Sequence, residues 1–383
     1  MAHALLSPSS AQRWSTCTPS ARLEANFPDT AGQAAAEGTL AHAIAEALIN
    51  LKLKRMTRKE FYSFIKISEA DPLYNTDLYS HAEAFCDFVL ERYAEAVSRT
   101  PDALIFTEKK LDLTAIIPDG FGTADAVIIA DGFMEVIDFK YGKGVEVSAQ
   151  ENKQMMLYGF GALNEYAILY DITALKLTIY QPRIGNYSTY ELPSIDLIQW
   201  AYEDLRFKAE MAHKGEGELV TGSHCKFCKA KAVCRAFHDQ NVEIAKHDFK
   251  QPNLLTADEI SNVLQKADII SEWITAVENY ALAKALEGEK WPGFKLVEGR
   301  SVRVITDPEK AAEKLIGNGF KVDQIYDMKM KGITALEKEL TKAKFSELLG
   351  DFILKPPGKP TLAPESDKRP ELNSADAAAN DFK

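Results

Sequence analysis

Three cysteines stand at C-x2-C-x5-C spacing in HCKFCKAKAVC, residues 224–234, in a chain that holds five in all. Thiolates at such spacing bind zinc or an iron-sulfur cluster, and either needs four ligands. Cys225, Cys228 and Cys234 supply three. A local fourth is at hand, because His238 follows Cys234 at C-x3-H and would complete a Cys3His zinc set of the kind found in small RNA-binding modules. A second group of reactive types flanks Asp131-Gly132, a strong hairpin signal expected to form a two-residue type I′ turn. With Ala130 facing Phe133, Asp125 falls opposite Asp138, and Thr123 opposite Lys140. Directly opposed residues have Cβ atoms about 4.5–5.5 Å apart, where like charges destabilise. Mg²⁺ or Mn²⁺ between the two carboxylates would compensate. Strand alternation sets Asp138 and Lys140 on one face and Ile137 and Phe139 on the other, so the lysine stands beside the cation and can orient an attacking water. By itself, D-x-K also fits a surface hairpin with scattered charges.

The elements that must position these groups are legible in the hydrophobic patterning. Residues 39–53 and 76–97 have helical apolar periodicity. The runs 103–113, 121–130, 133–140 and 172–183 read as strands, and 148–166 reads as a helix opened by Ser148 and Glu151 at capping-box spacing. A second region starts near 252, where Thr256 and Glu259 form another such box ahead of a long amphipathic helix. Its stripe, Ile260, Val263, Leu264, Ala267, Ile270, Ile274 and Val277, reads as packing surface. Residues 293–305 read as a hairpin, 333–353 as helix, and 355–383, rich in Pro, Ser, Asp and Ala, as a disordered tail. The expected division is a domain over 1–245, a mainly helical region over 252–353 and the tail from 354.

Two further motifs flank the hairpin. His42 follows Gly38 at G-x3-H near a helix start, and Gln154 and Tyr158 lie one turn apart on the helix after D-x-K. The ordered set G-x-x-x-H, G-x-x-D, D-x-K and Q-x3-Y, with 12 residues between Asp125 and Asp138, resembles the RecB-type branch of the PD-(D/E)xK nucleases. The opening segment LSPSSAQRWSTC resembles that branch too. The resemblance covers roughly residues 7 to 240 and implies a restriction-endonuclease-like α/β core, an α+β mixed sheet flanked by helices, that hydrolyses DNA to 5′-phosphate and 3′-hydroxyl ends. It implies His42, Asp125, Asp138 and the Phe139 carbonyl as Mg²⁺ or Mn²⁺ ligands, Lys140 as the residue assisting the water, and Gln154 and Tyr158 as groups that contact substrate or steady the site. In iron-sulfur members of the branch, including AddB-type nucleases, an upstream cysteine joins the downstream cluster to hold a 4Fe-4S centre. Here the four would be Cys17, Cys225, Cys228 and Cys234, stapling the two ends of the domain. Cys86 reads as a small buried hydrophobe.

Composition sets the remaining bounds. A net charge of −11 disfavours a protein that coats nucleic acid without specificity, although basic residues within 52–59 and Lys226, Lys229, Lys231 and Arg235 could line a DNA path. No apolar run is long enough to cross a bilayer and no signal peptide is read at the start, so a cytoplasmic protein without a membrane partner is expected. No helicase P-loop is present. The C-terminal extension resembles those of phage and prophage proteins, which implies an exonuclease acting in phage recombination or replication in a bacterial host, with DNA and a single-strand annealing or single-strand-binding protein as partners. A catalytically silent DNA-binding scaffold and the zinc RNA-binding module are the alternatives.

Overall fold

The structure, a computed structural model, describes residues 4–28, 32–247, 257–295, 297, 308–318, 321–326, 333, 336, 340, 342–349 and 353. The chain divides into two compact units, Met1–Ala283 and Lys284–Lys383. The expected hairpin over 293–305, the Thr256 cap and the tail over 355–383 lie largely or wholly outside the described residues. So does much of 333–353, within which Lys342–Leu349 is helical. Among the described residues no helix is long and apolar enough to cross a membrane.

The first unit opens with short helices α1 (Ala11–Thr16) and α2 (Ser20–Glu24), followed by α3 (Gln33–Lys52), α4 (Arg58–Ser68) and α5 (Thr76–Arg99). α4 begins inside the basic run, where Thr57 and Glu60 form a reciprocal capping box. Within that run Arg55 is committed to structure, donating to the Ile105 carbonyl at 2.7 Å. Five strands follow: β1 (Leu104–Asp112), β2 (Phe121–Ala130), β3 (Gly132–Phe139), β4 (Ile172–Gln181) and β5 (Asn186–Pro193). They form one mixed sheet in the order β1-β2-β3-β4-β5. Only β3 and β4 pair in parallel, and the connection between them is α6 (Lys153–Tyr166), as a parallel crossover requires. The helix starts later than the Ser148 and Glu151 reading: Asn152 is the cap, accepting from Gln154 and Met155 N–H, and Glu151 sits at φ 50°, where a helix cannot begin.

Each face of the sheet carries its own core. Met134, Val136, Leu175, Leu177 and Ile179 pack against α6 and the N-terminal helices, together with α7 (Ser194–Gln199) and α8 (Arg206–Lys214), which are joined by the π-helical turn Trp200–Leu205. Ile105, Ala126, Ile128, Ile137 and Phe139 pack against α3 and α5, and Cys86 is a buried member of that layer as expected. Inside it Glu135 is 1% exposed and kept in balance by Arg92 Nε at 2.9 Å and Thr178 Oγ1 at 2.7 Å, since a buried charge persists only when paired.

The hairpin register is the expected one from Ala130↔Phe133 to Ala126↔Ile137. Its turn is not type I′. That type needs positive φ at both central residues, and only Gly132 has it, at 75°. Tertiary bonds decide the turn instead: Asp131 N–H donates to Thr100 Oγ1, and Thr173 Oγ1 donates to the Gly132 carbonyl. α9 (Arg235–His247) and α10 (Ala257–Leu286) complete the described part of this region. The α10 stripe is not the packing surface expected, because Ile260, Leu264, Ile274 and Val277 are exposed. Inward contacts come from a neighbouring stripe, Trp273 against His238 and Tyr280 against Phe27.

Gly122, first residue of the G-x-x-D motif, has a packing reason to be glycine. A Cβ there would lie 2.6 Å from Pro8 Cγ and 2.8 Å from Tyr158 Cε1, closer than atoms pack. Gly122→Ala is expected to cost about 1–3 kcal/mol in urea unfolding, and Pro8→Ala in the same chain should recover part of it. An unchanged midpoint in the single variant would refute the close packing.

Candidate metal centre and cysteine cavity

Paired residues on β1 and β2 follow one register on both sides of Glu108, with Thr107↔Ala126 and Lys109↔Ala124. Yet Thr107 reaches Asn50 on α3, whereas Lys109 reaches Glu165 on α6. Two residues of a regular strand spaced by two share a face. The strands therefore exchange faces at Glu108 and Asp125, and Glu108 has φ 45°, a conformation costly for any residue with a Cβ. The ladder opens at this point, so Asp125 accepts from the Phe139 N–H at 2.6 Å through Oδ2 and meets His42 Nδ1 at 3.1 Å through Oδ1. The expected Asp125–Asp138 opposition is thus replaced, at the end of the pairing, by a side chain that reaches across to backbone.

Among the described residues, His42, Glu108 and Asp125 form a group whose ligand atoms lie within 4.8 Å of one another. They line a small cavity of about 10 Å³ backed by Phe85 and Phe139, enough for roughly one water-sized species. Glu108 went unread in the sequence, where it is one charge in a strand that reads T-E-K-K. Only the departure from strand alternation turns it into the site. Asp138 lies outside this trio but belongs to the same end of the sheet, 3% exposed, with Lys140 Nζ 3.1 Å from its Oδ2. That approach is out of line for a hydrogen bond, so Oδ2 is a buried oxygen without a hydrogen-bond partner. Gln154 ties the rest together: its Nε2 donates to Asp138 Oδ1 at 3.2 Å and contacts Tyr158 OH at 3.0 Å, and its Oε1 accepts from Lys140 Nζ at 3.0 Å. Phe139 enters the site by its N–H, its ring stacked on Phe85.

The electrostatics fit a missing positive charge. Burial, then the neighbouring Asp125 charge, pushes the Glu108 carboxyl up to about 7. Burial raises Asp138 as well, Lys140 opposes it, and Asp125 adds to it. Burial would lower His42, but the charge and hydrogen bond of Asp125, with Asp138 and Glu108 behind, outweigh it and raise the imidazole to about 9. Tyr158 is raised by burial and by Asp138. Three crowded acids and a small cavity lined by His42, Glu108 and Asp125 suit a hard divalent cation.

Cys17, Cys225, Cys228 and Cys234 line one small cavity together with Arg13 and His224. His238 does not line this cavity; its Nδ1 lies 2.9 Å from Asp239 Oδ1 and its ring packs on Trp273. Burial, then Glu24, pushes the Cys228 thiol up to about 12, and burial raises Cys17 and Cys225. Thiolates here need a cationic centre. Protein bonds already hold the two ends together: Thr18 Oγ1 donates to the Glu216 carbonyl, Arg22 Nε to the His213 carbonyl, and Lys229 N–H to Glu24 Oε1. Of the basic residues near the cysteines, Lys226 pairs with Glu272 at 2.9 Å, and Arg235 lies 4.0 Å from Asp239.

Fold and site together define a mixed α/β protein with a histidine-carboxylate centre at one end of its sheet and a four-cysteine cavity beside its N-terminal helices. A family described as "Protein of unknown function (DUF2800)" matches residues 3–370, and the chain belongs to that family. The chain is also similar to a solved structure described as "Crystal structure of SSO0001", at 14% identity over 57% of this chain and 95% of that one, with a TM-score of 0.22.

Glu108 provides a test of the charge crowding. Its folded pKa, about 7, lies above the ordinary carboxylate value of 4.5, so its ionisation destabilises the metal-free fold increasingly as pH rises between those values. Glu108→Gln should therefore raise stability in EDTA at pH 8 by about 1 kcal/mol after allowance for solvent screening, and leave it unchanged near pH 4. Thermal melts at the two pH values check the sign. Mn²⁺ should stabilise the wild type more than the variant.

Proposed function

We propose that the chain is a metal-dependent DNA nuclease of the PD-(D/E)xK type with a RecB-like site. The observation that supports this reading most directly is the convergence of His42, Asp125, Asp138, Lys140, Gln154 and Tyr158, scattered over more than a hundred residues of sequence, on one end of the sheet, with Glu108 added to them. A bound Mg²⁺ or Mn²⁺ would polarise the phosphodiester and stabilise the charge that develops on it. His42, Glu108 and Asp125 would hold the ion, and Asp138, paired with Lys140, would stand beside it on β3. Lys140, steadied between Asp138 and Gln154, orients the attacking water and places an ammonium beside the developing oxyanion. Tyr158 braces Gln154 through its hydroxyl. Phe85 and Phe139 keep bulk water from the inner wall, which strengthens each of these polar contacts.

The four cysteines fit a 4Fe-4S centre that ties the N-terminal helices to the segment before α9, and the presence of Cys17 in their cavity, from which His238 is absent, favours it over a Cys3His zinc module. The narrower assignment, an exonuclease of phage recombination or replication working beside a single-strand annealing or single-strand-binding protein, rests on the resemblance of the motifs and the C-terminal extension.

Asp138→Ala and Lys140→Ala should each lower Mn²⁺-dependent cleavage of end-labelled DNA by about 100-fold or more while circular dichroism stays that of the wild type. Undiminished cleavage in either variant would sink the assignment, and a wild type inert with both metals would favour a silent DNA-binding scaffold. For the cysteines, anaerobic purification should yield iron and sulfide with visible charge-transfer absorbance. Cys17→Ala should lose them and His238→Ala should keep them; zinc that survives the first and is lost in the second would establish the Cys3His module instead.

A further inference from the structure

α3 carries His42, yet its first turns have little to hold them. Gly32 caps the helix without a side-chain bond. Residues 33–36 are exposed, and Gly38 has open space where a Cβ would stand. Burial on α3 begins at Ala41, and apolar packing of that kind is not directional. The first anchored side chain is Glu37, whose Oε2 lies 2.9 Å from the guanidinium of Arg183. Arg183 follows β4 in the turn Pro182–Ile184, with its side chain 16% exposed. It also grips the other half of the site: its guanidinium lies 4.6 Å from the centre of the Tyr141 ring, and its Nη1 lies 3.4 Å from the Tyr141 carbonyl. Tyr141 directly follows Lys140 and is itself packed against Phe139 and His81.

We propose that Arg183 is a positioning residue, which sets the His42 helix against the Phe139-Lys140-Tyr141 strand end so that His42 meets Asp125, itself held by the Phe139 N–H, around one cation. The inference rests on the metal-centre reading above and extends it to a residue that touches none of the ligands. α3 belongs to one helical layer and β3 to the sheet, so no backbone bond fixes the helix along its axis, where one residue of slippage is about 1.5 Å. Thr107 meets Asn50 near the far end of α3, and a planar guanidinium bonded to Glu37 and stacked on Tyr141 fixes the end nearer His42. A lysine would keep the charge pair with Glu37 and lose the planar stacking on Tyr141.

The test is Mn²⁺ binding to the full chain by isothermal titration, independent of any activity. Arg183→Ala should weaken binding about 10-fold or more, the size of effect typical of residues that orient metal ligands, with an unchanged circular dichroism spectrum. Arg183→Lys should fall between the two, and the exchanged pair Arg183→Glu with Glu37→Arg should recover part of the loss. A residue that merely stabilises the fold would lower the melting temperature and leave the affinity of folded protein unmoved. Affinity within twofold of wild type in Arg183→Ala therefore overturns the proposal. Should that variant fail to fold, Glu37→Gln, at the exposed start of α3, carries the decision with the same expected loss. A wild type that binds no Mn²⁺ overturns the metal-centre reading and this inference with it, whereas tight wild-type binding with an unaffected variant overturns this inference alone.

Discussion

The exchange of faces at Glu108 and Asp125 is the constraint on which the site depends. A regular hairpin would send every second side chain to the same layer, so Asp125 would be committed to one face of the sheet. By dropping one residue from each strand out of alternation while the register continues, the sheet frees the Asp125 carboxylate at the boundary between layers. One oxygen then caps the Phe139 N–H of β3 and the other meets His42 of α3. The left-handed backbone of Glu108 costs about 1–2 kcal/mol, and crowding its carboxylate against Asp125 costs more. Such a conformation persists only where the surroundings over-determine it. Here Thr107 is tied to α3 and Lys109 to α6 on either side of the irregularity.

The same physical logic appears twice. At the sheet end, Glu108 and Asp125 face His42 around a small cavity, with the Asp138–Lys140 pair nearby. In the cysteine cavity, thiols are buried beside Glu24, which itself is held by Arg13 Nε at 2.7 Å. Each place concentrates groups whose charged forms burial disfavours, and a cation would relieve each. The partners differ in softness: oxygens and one imidazole suit a hard divalent ion, and sulfurs suit iron or zinc.

The sequence made the hairpin register, the first four strands and most residues of the candidate site legible, because D-x-K and Asp131-Gly132 are local signals that name their own spacing. What it hid had non-local causes. The turn type is set by Thr100 and Thr173, neither of which is near Asp131 in the chain. Glu108 could not be read because strand patterning assumes alternation, and its role begins where alternation fails. β5 escaped notice because NYSTYELP lies on an edge with mostly polar or half-exposed side chains, leaving no apolar run to mark it. The α10 stripe misled in the opposite sense: amphipathic spacing reports a helix, but which of two neighbouring stripes turns inward is decided by large anchors such as Trp273 and Tyr280.

The N-terminal segment joins the two centres. Pro8 packs where Gly122 leaves room beside Tyr158, so the serine-containing turn forms a wall behind the Gln154 network. A few residues on, Ser15 accepts from Lys153, the residue before Gln154. Cys17 and Glu24 then reach the cysteine cavity and the Lys229 N–H. One short stretch thus contacts the start of α6 on one side and the cysteines on the other. Because packed interiors shift as units and do not deform freely, a segment held at its far end by the Thr18 and Glu24 bonds also holds the near end against Tyr158. Holding the cysteine end and holding Gln154 in place are on this account one mechanical task, which explains why a cavity remote in sequence from D-x-K is built into the same compact unit.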